Sequence, residues 1–182
     1  VKYVTLDAAQ PFTITGTAKA ADVNDIALKT TGVVTATVAA DTAAKLLASL
    51  NNTDNLDMLT LTVNGATAEA GKLIALDGKT SVKVKVDATK VTGSFAELET
   101  IYVTNKANFT ALGNENITIT GATAEQVNTI ANLTTGKVTA TIIDTAANLV
   151  AGLKNSVATD ALSLEVNGAT AKASDLIILD GK

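Results

Sequence analysis

LTLTVNGATAEAGKLIALDGK, residues 59 to 79, and LSLEVNGATAKASDLIILDGK, residues 162 to 182, are two spellings of one segment. Asn64 answers to Asn167 and Asp77 to Asp180, each pair 103 residues apart. The likeness runs upstream. ITGTAKAADVNDIALKTTGVVTATVAADTAAKLL, from Ile14, matches ITGATAEQVNTIANLTTGKVTATIIDTAANLV, from Ile119, and YVT at Tyr3 recurs at Tyr102. The chain therefore reads as one continuous repeat stack over 1–182. Its first unit, 1–101, is expected to be incomplete at the N-terminus, and its second, 102–182, truncated at the C-terminus.

A shorter rhythm lies inside each unit. Alternating stretches such as FTIT, VTATV, LTLTV, VKVKV, ITIT, VTATI and LSLEV begin near Phe12, Val33, Leu59, Val82, Ile117, Val138 and Leu162. A period of two places apolar side chains on one strand face and Thr or Lys on the other. Between strands come turn residues and then apolar positions spaced for a helix, as at Val127, Ile130 and Leu133. Strands joined by such crossovers run parallel, with a right-handed connection expected. The predicted fold is therefore α/β: a right-handed solenoid of strand–turn–helix rungs, with a parallel sheet on one side and helices on the other.

Punctuation supports this reading. Asp41 in ADTAAKLL and Asp144 in IDTAANLV stand where an N-cap carboxylate would accept from free helix N–H groups. Thr123 with Gln126 has the spacing of a capping box. Gly32, Gly136, Gly78 and Gly181 are expected to end helices in a left-handed conformation. Asn64, Asp77, Asn167 and Asp180, which also recur once per unit, are assigned to turns and caps. The segment 87–116 is longer and is expected to hold a larger helix around FAELETIYV and a loop, ALGNEN.

Composition narrows the functions on offer. The 182 residues hold thirty Thr and no Cys, His, Trp or Arg, with a formal net charge of −4. Without Cys there is no disulfide framework or thiolate metal site. Lacking Arg and a basic balance, the chain has little with which to neutralise phosphates, which argues against nucleic acid as a partner. No apolar run approaches the roughly 20 residues of a membrane-spanning helix. An enzyme here would have to rely on carboxylates. Glu97 and Glu99 are the nearest pair, but residues two apart on a helix point in different directions. NGATAEAGK lacks the ending of a phosphate loop. No catalytic residue is assigned.

Two binding readings remain open. Calcium is a weak candidate at NNTDNLD, where Asp54 and Asp57 gather oxygens, with Asp160 in the second copy, although the DxDxDG order is absent. The TxT pairs Thr13 and Thr15, Thr35 and Thr37, Thr60 and Thr62, Thr118 and Thr120, and Thr139 and Thr141 lie on the outward strand face. Stacked at about 4.8 Å they would form a grid resembling that of solenoid ice-binding proteins, or one suited to a glycan. Lys83, Lys85 and Glu165 interrupt the rank, and Thr is in any case a good exposed strand residue.

DTAAxL, ITxTG, LDGKT, the VDAT of Val86 to Thr89, and ALGNEN resemble tandem repeats of very large secreted or cell-surface bacterial proteins, adhesin-like or surface-layer-like. The resemblance implies an extracellular or cell-surface location and a spacer or display role, and it carries no catalytic residues. The glycine-rich calcium nonapeptide of many such proteins is missing. The chain is thus expected to be a non-enzymatic structural segment, an extended scaffold with a part in adhesion. Its partners would be adjacent repeats of the same chain and a surface glycan or neighbouring protein, with no membrane insertion. The alternative is a binding module using the Thr-rich face, and a weaker one a carboxylate enzyme.

Overall fold

The computed structural model describes residues 8–182, so the YVT copy at Tyr3 lies outside the described residues. The chain is mixed α/β, and all the strand pairings among the described residues are parallel. The expected strands all form: β1 (Phe12–Ala18), β2 (Val34–Val38), β3 (Met58–Thr60), β6 (Val84–Val86), β9 (Asn116–Thr120), β10 (Val138–Asp144) and β11 (Ala161–Val166). Four short strands join them: β4 (Thr62–Val63), β5 (Ala68–Glu69), β7 (Lys90–Ser94) and β8 (Phe109–Thr110). The helices are α1 (Ala20–Ala27), α2 (Ala43–Ser49), α3 (Ala70–Asp77), α4 (Phe95–Glu99), α5 (Ala124–Ala131), α6 (Ala146–Gly152) and α7 (Ala173–Asp180). After α4 the chain widens into a π-helical turn, Thr100–Thr104, and then tightens into a 3-10 turn, Lys106–Asn108.

The expectation of one sheet needs correction. The strands divide into three, in the orders β1-β2-β3, β4-β6-β8 and β5-β7-β9-β10-β11. The division comes from the middle segments, where the chain lays down more than one strand before its helix. β3 pairs back to β2 while β4, one residue on, pairs forward to β6. Gly65, at φ +105°, then turns the chain into β5. A residue with a Cβ is strained at that φ, so Asn-Gly stands at this corner and again at Asn167-Gly168, where φ is +108°.

The core follows the alternation. Val34, Ala36 and Val38 of β2 are buried, and so are Val138, Ala140 and Ile142 of β10, while Thr37 and Thr141 between them are exposed. Helices add Val23, Leu46, Leu73, Leu76, Leu98, Val127, Ile130 and Leu149 to one continuous apolar cluster. A fully buried side chain of this size is worth about 1.5–3 kcal/mol over leaving it in water. Each helix touches the next in chain order, from α1 to α7. Five to eight residues is too short for an isolated helix to persist in water, so these turns depend on that packing.

The abundance of Ala has a local cause. Ala43, Ala70, Ala124 and Ala146 each open a helix and are buried there. At Gly152 an added Cβ would stand 2.6 Å from that of Ala124, so α5 and α6 approach through their smallest residues. Gly32 and Gly136 are explained in the same way and not by left-handed helix ends. Neither has positive φ, and a Cβ would lie 2.5 Å from the backbone of Gln10 or 2.2 Å from that of Glu115. Gly78 and Gly181 do follow α3 and α7, but with φ of −69° and −93°, so the left-handed ending predicted for all four does not occur.

Candidate functional site

The ten Thr of the TxT pairs are exposed or half-buried, as an outward strand face requires, but the register does not assemble them into one grid. Thr17, Thr37 and Thr60 stand side by side across β1, β2 and β3. Thr13 and Thr35 are opposite one another, with Met58 next in that rank. Thr15 falls in the irregularity between Thr13 and Thr17, where Gly16 has φ +77°, so Thr17 takes the place expected for it. Thr62 faces Lys85 in another sheet, and Lys85 in turn faces Thr110. Thr92, Thr118 and Thr139 form a further rank that ends on Ala161. Thr120 is opposite Ser94 and Thr141 opposite Ser163. Several short hydroxyl ranks result, broken by a lysine, a methionine and a change of sheet.

The recurring acids and amides lie at the corners. Asp41 and Asp144 sit one residue earlier than the N-caps, which are Thr42 and Thr145. Their Oδ1 atoms accept from the N–H of the following Thr at 2.8 and 2.7 Å. That N–H, with the Lys45 ammonium 3.2 Å away, holds the Asp41 carboxyl below the usual carboxylate range. At Thr145 the hydroxyl itself caps the helix by accepting from Asn148 N–H, whereas the Thr42 side chain makes no such bond. Asn64 and Asn167 donate their backbone N–H to the carbonyls of Asp41 and Asp144, at 3.0 and 2.9 Å. Asp77 ends α3 and accepts from the Asn108 side chain at 3.0 Å, and Asp180 ends α7.

Asp57 is 6% exposed, and its two oxygens are engaged by backbone. Oδ1 accepts from Val34 N–H at the head of β2, 2.8 Å away, and Oδ2 from Asp54 N–H at 3.1 Å. Asp160 repeats this with Val138 N–H at 2.9 Å and Val157 N–H at 3.1 Å. Asp54 Oδ1 accepts from Leu56 N–H. The calcium candidates thus act as intrachain acceptors, and among the described residues no three His, Cys, Asp or Glu side chains cluster to hold a metal ion. Glu97 is likewise engaged: its Oε2 accepts from Ser94 N–H and Oγ, both at 2.8 Å, which lowers its pKa and closes a capping box, while Glu99 is exposed. The Thr123–Gln126 box also forms.

Three devices escaped the sequence reading. Thr30, Thr80 and Thr134 precede β2, β6 and β10 by four residues. Each hydroxyl accepts from the N–H two residues on, at 2.9–3.0 Å, and donates to a carbonyl of the preceding segment: Gln10 at 2.6 Å, Leu59 at 2.8 Å and Glu115 at 2.7 Å. Asn24 and Asn128 reach from α1 and α5 to the N–H of Asn52 and Asn155, at 2.8 and 2.5 Å. Glu115, 4% exposed, accepts from the Tyr102 hydroxyl and from Gly113 and Asn114 N–H. Burial first, and the Glu115 carboxylate beside it second, push the Tyr102 phenol well above its ordinary value. The recurrence of TTG and of the helical Asn in both copies was the available signal. Nothing in ALGNEN alone points to Tyr102.

A cleft of about 750 Å³ opens beside this loop, lined in part by Asp87, Thr89, Asn114 and Thr135. Among the described residues no helix is long and apolar enough to cross a membrane. Comparison of the chain with protein-family models, curated proteins and solved structures gives no match.

Proposed function

We propose that the chain is a non-enzymatic structural segment, a right-handed solenoid that forms one continuous repeat stack and serves as an extended scaffold in a bacterial extracellular or cell-surface protein. The observation that carries the reading is the repeated neighbour-to-neighbour bonding. Thr30, Thr80 and Thr134 each tie the loop before a strand to the segment roughly 20 residues earlier, and helices touch in chain order. An arrangement satisfied by nearest neighbours lengthens by repetition without a new core, which is what a spacer requires. The residues required in both copies are engaged in holding turns together. The surface location follows from the resemblance of DTAAxL, LDGKT and ALGNEN to repeats of secreted bacterial proteins.

The test is deletion. Removing one whole unit, the 103 residues from Asn64 to Val166, joins equivalent points and is expected to leave helix and strand content per residue unchanged by circular dichroism. Removing 70–77, the helix α3 and so half of one rung, is expected to abolish cooperative unfolding. Equal melting of the two would remove the reading. A second reading, a binding face for glycan or ice, is favoured by the in-register rank Thr17–Thr37–Thr60. It predicts thermal hysteresis or a glycan-array signal that disappears with Thr37→Lys and Thr139→Lys.

A further inference from the structure

The corner between β4 and β5 is tied down on both sides and open in the middle. Asn64 donates its backbone N–H to the Asp41 carbonyl at 3.0 Å, and the Gly65 carbonyl accepts from Thr89 N–H at 3.3 Å. Both corner residues are exposed. Among the described residues neither the Asn64 side-chain amide nor the Gly65 N–H has a hydrogen-bond partner. The two groups left over are an electrophilic carboxamide carbon and the backbone nitrogen of the next residue. Gly65 carries no Cβ to screen that nitrogen, and an added one would stand 3.3 Å from Thr42 Cγ2. The corner recurs in the second copy: Asn167 N–H donates to the Asp144 carbonyl at 2.9 Å, and a Cβ on Gly168 would stand 3.6 Å from Thr145 Cγ2. All the other asparagines of the chain precede a residue that has a side chain. Several are also occupied, among them Asn24, Asn116, Asn128 and Asn148, whose side chains are held in hydrogen bonds.

We infer that Asn64-Gly65 and Asn167-Gly168 are sites of spontaneous covalent modification, at which the asparagine cyclises on the following nitrogen and is hydrolysed to aspartate and isoaspartate. The Gly65 nitrogen gives up its proton and attacks Asn64 Cγ. A C–N bond forms, the side-chain nitrogen leaves as ammonia with that proton, and a five-membered succinimide closes. Water then adds to either ring carbonyl and breaks its bond to the ring nitrogen. Opening at Cγ gives aspartate, and opening at the backbone carbonyl gives isoaspartate, whose main chain runs through Cβ. The sum exchanges water for ammonia with no change of oxidation state. Each event adds a negative charge to a chain whose net charge is −4. Isoaspartate also lengthens the backbone between the two tied ends, so the Gly65–Thr89 bond cannot keep its register. The inference concerns covalent chemistry at the corner and stands independently of the scaffold role.

The test incubates the whole folded chain in heavy-oxygen water at mildly alkaline pH, returns it to ordinary water, and cuts it after lysine. Peptides 46–72 and 155–172, each holding one Asn-Gly pair, are then sequenced by mass spectrometry. Heavy oxygen is expected at positions 64 and 167, as a mixture of aspartate and isoaspartate, at least tenfold faster than at any other asparagine. Asn64→Gln is expected to stop labelling of that position and leave position 167 unchanged. Gly65→Ala is expected to slow labelling of Asn64 at least tenfold; because that φ strains alanine, the Asn64→Gln result decides if the variant fails to fold. An Asn64 that stays unlabelled in the folded chain while a free peptide of residues 59–69 is labelled overturns the inference, since the fold would then hold the two groups apart. Labelling of Asn114 or Asn155 as fast as Asn64 overturns it too.

Discussion

Glu115 shows how a charged residue is accommodated beside an apolar core. Its carboxylate takes donors from Tyr102, Gly113 and Asn114, and burying a charge is tolerable only when it is paired with donors in this way. Glu115→Ala orphans those donors and is expected to cost about 1–3 kcal/mol in urea unfolding. Asp41 and Glu97 make a different prediction. Both carboxyls are held below their ordinary values of 3.8 and 4.5, so the unfolded chain takes up their protons first. Their contribution is complete above those ordinary values and is lost as the pH falls through the lowered folded ones. The urea midpoint is therefore expected to drop from pH 6 to pH 3, by less in Glu97→Gln. An equal drop in that variant would assign the acid sensitivity elsewhere.

The elements owe their boundaries to side chains that act on a neighbouring segment. Thr80 accepts the buried Leu59 N–H and donates to a carbonyl of the same residue, so Thr80→Val leaves a strand-edge donor without its partner. The expected loss is about 1–3 kcal/mol. Thr37→Val, on an exposed strand face, is expected to change stability by less than about 0.5 kcal/mol. If the two cost the same, the inter-segment bond has no special weight. Short strands such as β5 and β8 were not legible because two residues carry no period, and they exist only where a neighbour supplies a ladder. The N-caps moved from Asp41 and Asp144 to the following Thr for a related reason: either side chain can cap, and only the entering backbone direction selects between them.

At the scale of the molecule, one residue type in one repeat position has two energetic meanings. Leu73 is fully buried, whereas Leu176, its counterpart 103 residues on, is 45% exposed. Leu73→Ala is expected to cost about 2–5 kcal/mol by loss of transfer energy and creation of a cavity. Leu176→Ala is expected to cost under about 1 kcal/mol, because it already meets water. Chemical denaturation of both variants measures the difference directly, and equal costs would mean that the α7 face is covered in solution.

The sequence by itself determined the positions of the seven alternating strands, the parallel α/β class and the internal repeat in the residues, because alternation and helical spacing are local properties that survive whatever packs above them. The turns at Asn64 and Asn167 were legible for the same reason, since Asn followed by Gly marks a turn locally, and the φ of +105° and +108° at Gly65 and Gly168 is one that a residue with a Cβ rarely adopts. The tertiary structure alone decided that three sheets form instead of one, that the threonines make short ranks instead of a grid, and that Gly32 and Gly136 serve close approach instead of left-handed turns. Each of these depends on register and on distance between segments some twenty residues apart, and a periodic pattern fixes neither: it says which way a side chain points, and packing says what it meets.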